Sequence, residues 1–103
     1  MSENYRLVLI RWVDSYGCGA VWNELESAKA FLHECVSVGW IVKDSADAVV
    51  VVPHLSPQCD DIGAEEQGCG DMTIPICAIR SIEDVSVAEK DAEAPTPTYI
   101  PNA

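Results

Sequence analysis

Three residues in this sequence have side chains that could act together on a substrate as a Ser-His-Asp set. Asp14 and Ser15 are adjacent at the end of an apolar segment, and His54 follows Pro53. A hydroxyl becomes a nucleophile only when a base and an orienting group lie beside it. The sequence has no nucleophile elbow, no phosphate-binding loop and no metal-binding histidine pair. We therefore predict a protein that is not an enzyme, in which Asp14 and Ser15 begin a turn and His54 ends a strand.

Five cysteines and two histidines could ligate zinc, so their spacing matters. A zinc site takes its ligands in tight pairs such as Cys-x-x-Cys, whereas the closest two cysteines here are Cys69 and Cys77. His33 and His54 form no ligand pattern. The odd number of cysteines and the polar, acidic N-terminus, which shows no secretory signal, indicate reduced thiols in a cytoplasm. We predict no metal and no cofactor, with the cysteines acting as small buried hydrophobic residues.

Acidic residues cluster in the segment 59–71, which contains no Lys or Arg. The acids are Asp60, Asp61, Glu65, Glu66 and Asp71. Their spacing lacks the alternating ligand pattern of a calcium loop. Because prolines and glycines punctuate this part of the chain, we predict a mobile, solvated, acidic loop over 55–70.

Three tryptophans lie in different sequence settings. Trp40 lies between Val38 and Val42 and is predicted to be in the core, whereas Trp12 is predicted to be either core or the wall of a groove. Trp22 follows two glycines and is expected to be the most exposed, either as a hydrophobic staple or as a ligand contact. The candidate binding residues are Trp12, Asp14, Ser15, Trp22 and His54.

The elements that must position these residues are mostly strands. Runs of β-branched and aromatic residues predict strands at 5–13, 35–43, 48–53 and 71–74. The second and third of these form a predicted hairpin across a short polar turn. After Pro75 the spacing predicts a one-turn bend and then a closing strand.

One helix is predicted over residues 23–34. Asn23 can cap its first turn, and Glu26 completes a capping box. An apolar stripe repeats at three- and four-residue steps, formed by Leu25, Ala28, Phe31, Leu32 and Cys35. We expect this helix to cap one end of the sheet.

Charge and hydropathy restrict the partners of the chain. The net charge is −11 at pH 7, which is unsuited to binding a nucleic-acid backbone or an anionic membrane surface. No apolar run reaches the ~18 residues of a membrane span. An apolar fraction of 49% is enough for one core, which we place in residues 1–86. Residues 87–103 are predicted as a disordered, acidic, proline-rich tail.

The fold class that follows is mainly β with one α-helix. Five short strands in an open sheet would leave an apolar face and two edges uncovered. Curling into a small five-stranded barrel covers the inner face and removes the edges. We therefore predict a barrel capped by the helix.

Five segments form an ordered set of motifs along the chain. They are Trp12–Ser15, Ser37–Lys43, Val52–His54, Gly70–Pro75 and Ala78–Ile82. In this order they resemble a group of small uncharacterised proteins encoded by tailed bacteriophages and prophages, over roughly residues 6 to 85. The last segment is also similar to the closing strands of Sm-like and SH3-like barrels. The acidic segment 59–68 departs from the pattern, and no catalytic residue carries over.

The resemblance implies a phage- or prophage-encoded accessory protein with an SH3-like or Sm-like barrel in the host cytoplasm. Together with the missing catalytic set, it favours a non-enzymatic binding module whose partner is a host or phage protein, or a second copy of itself. One alternative is an acidic DNA mimic that inhibits a host DNA-binding protein. Another is a sponge for a signalling nucleotide, with Arg6, Arg11 and Arg80 as phosphate ligands. Direct nucleic-acid and membrane binding are not expected.

Overall fold

A computed structural model of the protein describes residues 5–17 and 19–86, which form a mainly β structure. The strands are β1 (Arg6–Asp14), β2 (His33–Asp44), β3 (Ala48–Val52), β4 (His54–Ser56), β5 (Gln67–Cys69), β6 (Met72–Pro75) and β7 (Ile79–Asp84). Three single-turn 3-10 helices are η1 (Leu25–Ser27), η2 (Asp60–Ile62) and η3 (Ile76–Ala78). All strand pairings are antiparallel.

Five strands form the main sheet, in the order β6-β3-β2-β1-β7, and β4 pairs with β5 in a separate two-stranded sheet. β2 is 12 residues long and connects the two halves of the main sheet. It pairs with β1 over His33–Ile41 but with β3 only over Trp40–Asp44. Its first half therefore has β1 as a neighbour on one side, while its second half borders β3.

The core lies on one face of the main sheet, which we call the inner face. Its buried side chains are Val8, Ile10, Val49, Val51 and Ile74. Six partly buried side chains pack around them: Trp12, Ile41, Met72, Ala78, Ile79 and Ile82. Since both edge strands β6 and β7 contribute to one cluster, the sheet curves around it. Shifts of register at Arg11/Trp12 and Ile41/Lys43 are irregularities of the kind that bend strands.

The strand predictions are confirmed, and the closed barrel is not. The predicted strands correspond to β1, β2, β3, β6 and β7, with β2 and β3 forming the expected hairpin and η3 the expected bend after Pro75. Across the two described ranges, however, no ladder joins β6 to β7. The five-stranded sheet is thus curved but has two free edges.

The predicted helix over 23–34 is wrong. Only η1 is helical there, and the residues on either side of it, Glu24 and Ala28, are extended with ψ of 132° and 138°. Leu25 and Phe31, on the proposed apolar stripe, are 89% and 55% exposed. A helix of this length gains its stability mainly from packing an apolar face. No such packing occurs here, and β2 takes up the end of the segment from His33 onward.

The predicted mobile loop over 55–70 is also wrong, because most of it folds as a hairpin. β4 and β5 pair through His54↔Cys69 and Ser56↔Gln67. Between them, Cys59 and Ala64 exchange two backbone hydrogen bonds of 2.9 Å around η2. This connection packs on the outer face of the main sheet, since a Cβ on Gly68 would lie 3.3 Å from the Val52 methyl carbons. The acidic segment is therefore an ordered structure.

The apolar alternation of β2 faces outward. On the inner face, Gly39 lies opposite Val8 and Ser37 opposite Ile10, so small residues of β2 leave room for large residues of β1. The side chains of Val36, Val38, Trp40 and Val42 lie on the outer face. The prediction of Trp40 as a core residue is thus wrong: it is half-buried outside the core cluster, opposite Val52.

Residues 87–103, which include the predicted tail, lie outside the described residues. Within the described part, no helix has both the length and the apolar character that crossing a membrane requires.

Candidate functional site

Exposed apolar side chains are concentrated in one stretch of the chain. Of the ten large hydrophobic residues that the structure shows exposed, eight lie between positions 16 and 38. They are Tyr16, Val21, Trp22, Leu25, Phe31, Leu32, Val36 and Val38. We call these eight residues the apolar surface. Exposed apolar side chains that form a patch typically mark a protein interaction site, and these eight are concentrated within one short stretch of sequence.

The base of the β1–β2 connection is held by aromatic contacts. Asp14 and His33 are register partners at the ends of β1 and β2. Beyond them, the Tyr16 ring centroid lies 4.7 Å from that of Phe31 and 5.2 Å from that of His33, in tilted arrangements. Such tilted pairs are favourable ring geometries. The connection therefore leaves the sheet from a fixed base, while its middle stays exposed.

Trp22 lies in the exposed middle of this connection. Its side chain is fully exposed. Because its side chain is exposed and only the single-turn η1 follows it, it does not pack as the hydrophobic staple that the sequence allowed. Sequence reasoning missed Leu25 and Phe31 as surface residues, since it placed both on a buried helix face. The signal available was the same set of apolar side chains beside a glycine-rich turn.

Trp12 is both a core contact and a cavity wall. Its ring packs against the core cluster, and its Nε1–H donates to the Ser37 Oγ at 3.0 Å. It also lines a small cavity of about 110 Å³, together with Arg11 and Arg80. This volume lies well below the ~300 Å³ at which small-molecule pockets begin.

The Ser-His-Asp set is not assembled. Asp14 ends β1, and the Ser15 backbone N–H donates to the Asp14 Oδ1 at 2.8 Å. His54 is exposed and begins β4, opposite Cys69, in the other sheet. Within the described ranges, no hydrogen bond joins His54 to Asp14 or Ser15.

Carboxylates dominate the surroundings of the apolar surface. Asp14, Glu24, Glu26 and Glu34 are exposed along this stretch, against one exposed lysine, Lys29. On the neighbouring strands, the arginines already face acids. Arg6 lies 2.9 Å from Asp84, and Arg11 lies 3.8 Å from Glu83. These exposed pairs contribute little to stability, but they neutralise two of the three arginines that could bind phosphate.

The four cysteines that the structure describes are less buried than predicted. Cys35 and Cys59 are half-buried, whereas Cys69 and Cys77 are exposed. The two exposed thiols lie on β5 and η3, which border solvent. In the part of the chain that the structure describes, no three His, Cys, Asp or Glu side chains are grouped closely enough to hold a metal ion.

Comparison of the chain with known protein families, with curated proteins and with solved structures finds no match.

Proposed function

We propose that this protein is a non-enzymatic binding module, encoded by a phage or prophage, whose apolar surface docks onto a host or phage protein. The observation that carries the proposal is the position of eight exposed apolar side chains on and beside one connection. A curved sheet with a buried core supports this connection from a fixed base. A rigid scaffold that carries an exposed loop is a common architecture for binding proteins. The phage or prophage origin rests on the resemblance of the motifs.

An SH3-like or Sm-like barrel is the fold that we propose for the scaffold. Two features of the sheet support it. The edge strands β6 and β7 are joined by η3 alone, and both contribute side chains to one core. The register irregularities at Arg11/Trp12 and Ile41/Lys43 are of the kind that bend strands, and closure of a barrel requires such bending.

The charge of the chain defines the partner further. A net charge of −11 opposes the approach of a second copy and attracts a basic surface. The carboxylates of Asp14, Glu24, Glu26 and Glu34 beside the apolar surface also repel a second copy and attract a basic surface. The partner we expect is therefore a protein with an apolar groove rimmed by Lys or Arg.

The test is affinity capture with matched variants. The double variant Trp22→Ala/Leu25→Ala removes two of the most exposed side chains of the apolar surface. Ile62→Ala is the control, because Ile62 is 77% exposed on the other long connection. We expect the wild type and Ile62→Ala to capture the same protein from host lysate and the double variant to lose it. Equal capture by all three proteins, or useful turnover of ester, phosphate or nucleotide substrates, would contradict the proposal.

A DNA mimic is the second candidate, and one observation favours it. Mimicry requires acids on a rigid surface, and η2 with its flanking backbone bonds holds Asp60 and Asp61 in an ordered turn. If this function is correct, capture fails with Asp60→Asn/Asp61→Asn and survives Trp22→Ala/Leu25→Ala. The captured protein should also be released by duplex DNA. The nucleotide sponge has less support, because Arg6 and Arg11 already face Asp84 and Glu83.

A further inference from the structure

A cavity of about 260 Å³ lies between the outer face of the main sheet and the β4–β5 hairpin. Its lining includes Val42, Val50, Val52 and Leu55 on the apolar side, and Glu66 and Asp71 as the charged groups. No basic residue contributes to the lining. Its volume exceeds the volumes of about 180 Å³ and 170 Å³ of the cavities beside Lys43 and beside Ser56.

The apolar side of this cavity is a preformed surface. Val52 is 3% exposed, and Val42, Val50 and Leu55 are half-buried. Their methyl groups come from three different strands, so the shape of the surface depends on the sheet and on the hairpin together. A hydrocarbon chain placed here would leave water at a gain of roughly 0.8 kcal/mol per methylene.

The two carboxylates of the cavity lack a cation. Glu66 is half-buried and Asp71 is exposed. Within residues 5–17 and 19–86, the ion pairs are Arg6–Asp84 and Arg11–Glu83, so neither Glu66 nor Asp71 is paired there. A partly desolvated carboxylate gains from a positive neighbour. The cavity therefore combines an apolar wall with an uncompensated negative charge.

The size of the cavity points to one side chain rather than a complete cofactor. Pockets for drug-sized molecules have volumes of about 300–1,000 Å³, which is larger than this one. A lysine side chain has a long apolar stem and a compact charged head, and it places the two in different surroundings. We propose that this cavity receives a lysine side chain of a partner protein, with the stem on the valines and the ammonium group at Glu66 and Asp71.

This inference rests on the proposed function in one respect only, namely that the ligand belongs to a protein. The cavity and the apolar surface share no residue. Val38, the member of the apolar surface nearest to the cavity along β2, is four positions from Val42, or roughly 13 Å at about 3.3 Å per residue. A lysine analogue therefore tests the cavity without any partner, and the capture experiment tests the apolar surface without the cavity.

The experiment is an amide NMR titration of the full chain at low salt, where surface electrostatics are strongest. The probes are Nα-acetyl-lysine methylamide and its norleucine counterpart, which keeps the stem and lacks the ammonium group. We expect the lysine probe to shift the amides of Val42, Val52 and Gly68 in a saturable way, with a dissociation constant on the order of millimolar. The norleucine probe should bind at least about fivefold more weakly.

Matched charge variants decide whether the carboxylates act as proposed. Glu66→Gln/Asp71→Asn should weaken binding of the lysine probe at least about fivefold. Asp60→Asn/Asp61→Asn changes the net charge equally and should leave its affinity unchanged. Absence of saturable shifts, equal binding of norleucine, or equal weakening by both double variants would each overturn the proposal. Trp22→Ala/Leu25→Ala should titrate as the wild type does, which separates failure of this site from failure of the proposed function.

Discussion

Two long connections link strands of the main sheet, and they have nearly the same length. Residues 15–32 join β1 to β2, and residues 53–71 join β3 to β6. The first is rich in apolar and aromatic side chains yet packs against little, whereas the second is acidic yet contains a hairpin that covers Val52. Apolar content alone therefore does not decide which connection packs. The decisive features are backbone pairing and a close fit to the sheet.

The close packing of the second connection on the main sheet depends on two glycines. Gly68 approaches the Val52 methyl groups, and Gly70 has a positive φ of 79° beside Pro53. Within its described residues, the ring contacts of the first connection join Tyr16 to Phe31 and to His33 at the start of β2, while Trp22 and Leu25 stay exposed. As a result, the outer face has a covered end near Val52 and an open end near Val38, which is 53% exposed.

The largest effect should come from placing a charge at the covered end. Val52→Asp buries a carboxylate without a partner, and we expect a loss of about 3–5 kcal/mol in the free energy of unfolding. Val38→Asp adds the same charge at the open end and should cost less than about 1 kcal/mol. Urea unfolding measures both. If Val52→Asp does not fold, Val52→Ala and Val38→Ala can be compared instead. Equal losses in the free energy of unfolding would contradict the distinction between a covered and an open end of the outer face.

A methyl group at Gly39 should disturb the point where β3 approaches β2. A Cβ there would lie 2.7 Å from the Val52 carbonyl oxygen, a backbone atom that cannot easily move. We expect Gly39→Ala to cost about 1–3 kcal/mol. Gly19→Ala is the control in the first connection, because nothing lies within 4 Å of its added methyl group. The melting temperature of Gly39→Ala should be clearly lower than that of Gly19→Ala. Equal melting temperatures would show that Gly39 does not lie close to the Val52 carbonyl oxygen.

Hydrogen exchange should separate the two connections at the level of single amides. The paired amides of β4 and β5 should exchange at least about tenfold more slowly than those of residues 20–24 and 29–32. In the first connection, the backbone bonds from Ser27 to Glu24 and from Ala28 to Leu25 should give η1 slight protection. Uniform fast exchange in both connections would mean that the hairpin opens as readily as the exposed loop.

The smallest effect on stability should come from the apolar surface. Trp22 and Leu25 are almost wholly exposed, so Trp22→Ala/Leu25→Ala should change the melting temperature by less than about 3 °C. Binding of a dye that reports exposed apolar surface should fall in the same variant. A large loss of stability would show that these side chains pack on the domain, and the connection would then resemble the second one.

The strands were predictable because each is a run of β-branched residues long enough to show its pattern. Val49 and Val51 are core residues in a run of four valines, and Ile74 stands between Thr73 and Pro75 in a short extended segment. The choice of face in β2 was not predictable from β2 alone. Its small inner residues Ser37 and Gly39 make sense only beside the bulky residues of β1.

The two connections were mispredicted for opposite reasons. The stripe from Leu25 to Cys35 has helical spacing, but a helix needs a surface to pack on, and the sequence does not state whether one exists. The hairpin strands His54–Ser56 and Gln67–Cys69 have three residues each, which is too short for a recognisable alternation. Of the candidate site residues, Trp22 was correctly expected to be exposed. The cavity at Glu66 could not be foreseen, because it depends on how the hairpin folds onto Val52.

The register pair Asp14 and His33 has a consequence for how this protein can change over evolutionary time. The two residues hold the ends of the first connection side by side in the ladder of β1 and β2. Doubling the length of a loop with fixed ends adds only about 0.6 kcal/mol of closure entropy. Insertions, deletions and substitutions between Gly17 and Leu32 should therefore leave the scaffold intact, and under the proposed function they would change which partner the apolar surface binds. Relatives that share this sheet should differ most in that interval, because changes there come at little cost to folding.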